Sequence, residues 1–187
     1  MKRKPIVLNG SKSFRDSVVE SVGDEIFSCY QCFKCSAGCP VSFAMDLLPH
    51  QIIRAVQFDL REKVLSSGTI WVCASCETCT TRCPNNIDIA EIMDVLRHKA
   101  LESNTALKER NVLYFHQAFM DAIRKNGRIH ELGMIAAYKM KSRKFFDDMR
   151  LGWEMLKRGK LKLISHKIKE EKEIKRLFEH SLSKEDR

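Results

Sequence analysis

Between Leu47 and Gly68 the chain reads LLPHQIIRAVQFDLREKVLSSG, and its apolar residues Ile52, Ile53, Val56, Leu60, Val64 and Leu65 recur at threes and fours. That is the spacing of one buried helix face. It predicts a helix opened by Asp46 or Pro49 and closed ahead of Gly68. The same plan returns in NNIDIAEIMDVLRHKALES, with Asn86 or Asp88 as the cap and Ile89, Ile92, Met93, Val95 and Leu96 on the inner side. A third helix is predicted in ALKERNVLYFHQAFMDAIRKNG, with Val112, Phe115, Phe119 and Ile123 on one face and Gly127 as its stop. ELGMIAAYKM and RKFFDDMRLGWEMLKRG read as two more. LKLISHKIKEEKEIKRLFEH begins extended and turns helical, with Ile174, Leu177 and Phe178 on one side. Only PIVL, near the start, suggests a short strand. The pattern predicts an all-α protein.

Composition adds a division the pattern does not show. The 187 residues carry a net charge of +9, but residues 1–123 hold 14 Lys/Arg against 14 Asp/Glu, while residues 124–187 hold 19 against 10. A neutral body is followed by a basic extension. We therefore expect one domain over residues 1–105 and a helical, basic extension over 106–187 that serves packing and partner docking. No apolar run approaches the ~20 residues of a membrane helix. The basic start MKRKPIVLNG has far too short an apolar stretch for a signal peptide. Both features point to the cytoplasm, where thiols stay reduced.

All eight cysteines fall in two runs, CYQCFKCSAGCP from Cys29 and CASCETCTTRCP from Cys73. Each is C-x2-C-x2-C-x3-C-P, the spacing of bacterial-type two-cluster ferredoxins. Three cysteines at intervals of three can ligate three corners of a cubane from one tight loop. The fourth lies too far along to close the same cubane comfortably, and the proline after it turns the chain away. In two-cluster ferredoxins that fourth cysteine serves the other cluster. The expected ligand sets are therefore Cys29, Cys32, Cys35 and Cys83 for one [4Fe–4S] cluster, and Cys73, Cys76, Cys79 and Cys39 for the second. A disulfide framework would require an oxidising compartment and usually a smaller chain. A zinc-stabilised binding module is the better rival, because zinc also uses C-x2-C pairs. Zinc has no use, however, for a third cysteine at the same interval.

A helix after each run, with 33 residues between Cys39 and Cys73, favours the α-helical ferredoxin arrangement over the common small ferredoxin built on strands. Ile26, Phe27, Ile70, Trp71, Val72, Ile87 and Ile89 are the neighbours expected to exclude water from the clusters. The six histidines lack metal-ligand spacing. No nucleotide loop, flavin motif or catalytic set stands out, so no catalytic residue is expected. The tail interleaves few aromatics with its lysines, which argues against nucleic acid. Two one-electron centres without substrate machinery make an electron carrier, not an enzyme in its own right.

CYQCFKCSAGCP, TIWVCASCETCTTRCP and DIAEIMDVLR closely resemble the small iron–sulfur subunit of heterodisulfide reductase, its C-type subunit, and RGKLKL with HKIKEEKEIKRLFE is similar to that subunit's end. The resemblance spans about Ser13 to Phe178. It implies a complex in which a flavoprotein subunit feeds electrons to this chain, which relays them to a third, catalytic subunit. That third subunit carries a CCG motif and splits the disulfide of coenzymes M and B. Hydrogenase or formate dehydrogenase would be further members of a larger assembly. Phe33 stands where a small residue, often glycine, is expected, and MDLLPHQ is closer to bacterial-type relatives. Other CCG-dependent complexes, of sulfur metabolism or of glycolate, glycerol-3-phosphate or succinate-type dehydrogenases, use the same kind of carrier.

Overall fold

The computed structural model describes residues 13–103, 108–143, 149–160, 173–174 and 176–180. Every regular element among them is helical. The chain divides into two units, Met1–Glu109 and Arg110–Arg187. PIVL and most of the basic tail lie outside the described residues; residues 173–174 and 176–180 are helical.

The first unit opens with α1, Phe14–Val22, where the Ser13 hydroxyl accepts from the Asp16 N–H at 3.1 Å. Gly23, at φ 86°, ends α1 and leads into a 3-10 turn, Asp24–Ser28. After the first cysteine loop come α2, Lys34–Ala37, a 3-10 turn at Ser42–Ala44, and α3, Pro49–Gln57. Then follow α4, Arg61–Leu65, and α5, Thr69–Val72, which leads into the second loop. The unit closes with α6, Thr78–Arg82, and α7, Ile89–Glu102. α7 is the spine against which α1, α4, α5 and α6 pack, while α3 packs on α1, α2 and α4. Val18, Ile26, Ile52, Ile53, Val56, Val64, Leu65, Ile70, Ile92 and Leu96 fill the space between them.

The long helix expected between Leu47 and Gly68 is broken. Pro49 does open α3, at the position where its missing N–H costs nothing. The helix ends at Phe58, because Asp59 takes the left-handed conformation at φ 59°. The Asp59 N–H reaches the Val56 carbonyl and the Leu60 N–H reaches the Ala55 carbonyl, both at 2.9 Å. That pair of bonds is the Schellman ending, which usually uses glycine. Aspartate stands there because its carboxylate accepts the Arg15 N–H of α1 at 2.7 Å. Leu60, expected on the buried face, is exposed.

The α7 expectation needs a smaller change. Asp88 is the cap, accepting from the Glu91 N–H at 2.9 Å, whereas Asn86 is a left-handed residue in the preceding loop. Ala90 and Ala100 join the buried side and Val95 is half-buried.

In the second unit α8, Arg110–Asn126, packs on α9, Glu131–Ser142. Gly127, at φ 72°, stops α8 as expected. The most buried positions of α8 are Ala118 and Ala122, while Phe115 is exposed and stacks edge-on against Tyr138. α10, Met149–Lys157, follows. Among the described residues no helix is long and apolar enough to cross a membrane.

Candidate metal centre

The two cysteine loops share one backbone plan. Each begins at the end of a helical turn, at Cys29 after Ser28 and at Cys73 after Val72. Gln31 and Ser75, two residues on, are left-handed at φ 56° and 48°. Phe33 and Glu77, four residues on, are left-handed at φ 69° and 57°. A short helix then carries the third cysteine, Cys35 in α2 and Cys79 in α6. Left-handed residues alternating along a loop turn successive N–H groups to one side, which makes a nest for an anion. The pairing of the two halves extends to Gly38 and Arg82, each three residues past the third cysteine. The Arg82 side chain lies over Gly38, where a Cβ would fall 2.6 Å from its Cδ.

Two cavities lie beside these loops. The first is walled by Cys29, Cys32, Cys35 and Cys83, with Tyr30, Phe33, His50, Ile87 and Ile89 among the other lining residues. The second is walled by Cys39, Cys73, Cys76 and Cys79, with Met45, Glu77, Thr78, Ile89 and Met93. Both are small hollows partly open to solvent, with about 20 Å³ of water-accessible space each. Ile89, the first residue of α7, belongs to both walls. Each run thus sends its first three cysteines to one cavity and its last to the other. Among the described residues no three His, Cys, Asp or Glu side chains are grouped as around one ion; the cysteines line the two cavities in fours.

Exposure and electrostatics repeat between the halves. The second cysteine of each run, Cys32 or Cys76, is exposed. Burial pushes the thiol pKa of the third cysteine upward, for Cys35 and for Cys79 alike. A cation beside those positions would favour the thiolate. The Thr78 hydroxyl, 3.4 Å from the Cys76 sulfur, lowers that thiol's pKa.

Of the neighbours expected to exclude water, Ile87 and Ile89 line cavities, and Ile26, Ile70 and Trp71 are buried in the core. Val72 is half-buried. Phe27 departs from the expectation: it is 49% exposed, with the Arg15 guanidinium 6.0 Å from its ring centre.

Several residues that hold the loops carry no signal of that role in the sequence. Arg97 of α7 donates to the Ile70 carbonyl and, at 2.6 Å, to the Cys73 carbonyl, fixing the entry of the second loop. Asp46 does not cap α3. Its carboxylate instead accepts the Gly68 and Thr69 N–H groups at 3.0 and 3.1 Å, the Ser67 hydroxyl at 2.6 Å and the Lys108 ammonium at 2.9 Å. Desolvation opposes the Asp46 charge, but these donors outweigh it and hold its pKa well below the usual carboxylate range. Gln57 donates to the Ile26 carbonyl at 2.7 Å, ahead of the first loop. His50, one of the scattered histidines, lies in the first wall, with Nδ1 2.7 Å from the Ser36 hydroxyl. Burial lowers its pKa.

The donor set fits iron–sulfur cubanes: four thiols around each cavity, backbone nests for the cluster sulfides, and in each wall a third cysteine whose thiolate a neighbouring cation would favour. A family described as a 4Fe-4S dicluster domain matches residues 25–87. The second C-type iron–sulfur subunit of the CoB–CoM heterodisulfide reductase of Methanocaldococcus jannaschii is 34% identical over 131 residues, covering 65% of this chain and 70% of that protein. This chain belongs to the family of heterodisulfide reductase C-type subunits. The corresponding subunit of the H(2):CoB-CoM heterodisulfide,ferredoxin reductase from Methanothermobacter marburgensis is 30% identical over 95 residues. That match spans about half of each protein, 51% in both cases. The same subunit of a ferredoxin:CoB-CoM heterodisulfide reductase from Methanosarcina acetivorans is 36% identical over 112 residues, which cover 60% of this chain and 42% of that one. The family member described here is an all-α, ferredoxin-type iron–sulfur protein with two [4Fe–4S] clusters.

Proposed function

We propose that this chain is the electron relay of a heterodisulfide-reductase-type complex in a reducing, cytoplasmic compartment. It takes single electrons from a flavoprotein subunit and passes them to a CCG-motif subunit, which reduces a disulfide such as that of coenzymes M and B. Cys29, Cys32, Cys35 and Cys83 hold one cluster, and Cys73, Cys76, Cys79 and Cys39 hold the other. The observation that carries this reading is the make-up of the two cavity walls, each with three thiols from one run and the fourth from its counterpart.

When bound, each cluster supplies a one-electron redox capacity. The protein's own part is to hold and shield. Ile89, common to both walls, keeps the space between the cavities apolar, and Ile87 and Met93 extend that lining on either side. Cys32 and Cys76 sit at the surface, so each centre has one edge within reach of a partner. Disulfide reduction takes two electrons, and this chain has no cysteine beyond the eight in its cavity walls. It therefore has no thiol with which to take part in the exchange itself.

The test is anaerobic. The isolated chain, loaded with iron and sulfide, accepts electrons from reduced viologen but does not pass them to the coenzyme disulfide until the CCG-motif subunit is added. Steady disulfide reduction by the isolated chain would overturn the relay.

A further inference from the structure

The two loops differ at one pair of equivalent positions in a way that reaches a sulfur atom. Gln31, half-buried in the first cavity wall, has its side-chain nitrogen Nε2 3.2 Å from Cys29 Sγ and 3.1 Å from the His50 carbonyl oxygen. Which end of a glutamine amide is nitrogen is usually an open question. Here the chemistry settles it. A backbone carbonyl can only accept, so the group facing His50 is the NH2, and the second hydrogen of that NH2 is the one aimed at sulfur. The His50 carbonyl is itself held, because the His50 N–H donates to Ser36 Oγ at 3.2 Å and His50 follows Pro49 at the start of α3. At the equivalent position of the second loop, Ser75 turns away. Its hydroxyl donates to Asp94 at 3.4 Å and accepts from Arg97 at 3.1 Å.

We infer that Gln31 is a positioning residue for the electronic state of the first cluster, its amide donating a fixed hydrogen bond to the Cys29 sulfur and raising that cluster's reduction potential. The physical reason is simple. Adding one electron increases the negative charge on the thiolates, and a hydrogen bond to a thiolate sulfur becomes stronger as that charge grows. The donor therefore stabilises the reduced form more than the oxidised one. Gln31 has a left-handed backbone at φ 56°, and its side chain lies against Cys29 and the His50 carbonyl. The inference rests on the proposed assignment of Cys29 as a ligand of the first cluster.

The experiment uses the full chain with both clusters loaded. Gln31→Met keeps the length of the side chain and removes the donor. In a dithionite titration followed by electron paramagnetic resonance, one of the two reduction waves should move so that about tenfold less of that cluster is reduced at a fixed potential. For a one-electron couple this is a shift of about 59 mV downward. The other wave stays in place, and iron and sulfide contents are unchanged. Wild-type protein made with glutamine labelled with 15N at the side-chain amide should show a 15N coupling to the reduced cluster in pulsed spectra, and Gln31→Met should abolish it. Full clusters with neither wave displaced, or a labelled wild type without that coupling, would overturn the inference. If Gln31→Met fails to hold iron, the labelled wild type decides alone. Alkylation of Cys29 in fully loaded wild-type protein would instead overturn the ligand assignment beneath it.

Discussion

The two cavities are built on the same bones and dressed differently. Helical turn, two left-handed residues and a short helix recur in the same order, and in each the second cysteine is exposed and the third is in a short helix. Around the first, however, stand Tyr30, Phe33 and His50, with an amide on a sulfur. Around the second stand Glu77, Thr78 and two methionines, with a hydroxyl on a sulfur. The anchoring differs as well: side chains of Gln57 and Gln31 steady the first loop, whereas Arg97 and the Asp46 network steady the second. The lesson is that spacing sets how many iron centres can be held, and the side chains between the cysteines set how the two differ. Unlike surroundings of this kind give two otherwise equal iron–sulfur centres different reduction potentials.

The strongest way to separate the halves is through Asp46. Asp46→Ala removes the common acceptor of the Leu47, Gly68 and Thr69 N–H groups, the Ser67 and Thr69 hydroxyls and the Lys108 ammonium, at the start of the helix that leads to Cys73, and should cost about 2 kcal/mol. Iron should be lost from the second cavity before the first, as followed by iron release in urea. The pH dependence has a definite sign. The Asp46 pKa is lower folded than its ordinary 3.8, so its contribution is full above that value and is lost as the pH falls through the folded value. The gap in stability between wild type and Asp46→Ala should therefore be the same at pH 6 and pH 8. A gap that narrows toward pH 6 would show that the carboxylate is not held as described.

A much smaller effect is expected at Phe33. Its left-handed backbone at φ 69° costs about 1 kcal/mol for a residue with a Cβ. Its ring lies edge-on to His50 with centroids 5.0 Å apart, a contact worth about 0.5–1.5 kcal/mol. The two offset each other. Phe33→Gly should change the unfolding free energy by less than about 1 kcal/mol while leaving iron content intact. A loss of several kcal/mol would mean that the ring holds the first loop together, and the two loops would then differ in mechanical design as well as in chemistry.

How much of this is legible in the sequence follows from which interactions are local. The cysteine spacing is local, and it leads directly to two clusters. The small residue expected at position 33 matches the backbone geometry, since that residue is left-handed; the sequence simply places phenylalanine there. The break at Asp59 is invisible to local pattern because its cause is 44 residues away, at the Arg15 N–H that its carboxylate accepts. Arg97 and Asp46 escape for the same reason: Arg97 looks like an ordinary surface charge, and Asp46 like the opener of the next helix, until the fold brings backbone groups from another loop onto them. α8 shows a different failure. Large side chains mark its expected apolar face, but the most buried positions belong to Ala118 and Ala122, where a small residue lets another surface approach closely.

The most direct trial of the crossed arrangement is to replace one fourth cysteine and find which thiols are set free. In Cys83→Ser, purified without oxygen and treated with an alkylating reagent, peptide mass spectrometry should find Cys29, Cys32 and Cys35 modified. Cys39, Cys73, Cys76 and Cys79 should stay protected, with about half the iron retained. Modification of Cys73, Cys76 and Cys79 instead, with the first run still protected, would contradict the shared cages and return each cluster to its own stretch of chain.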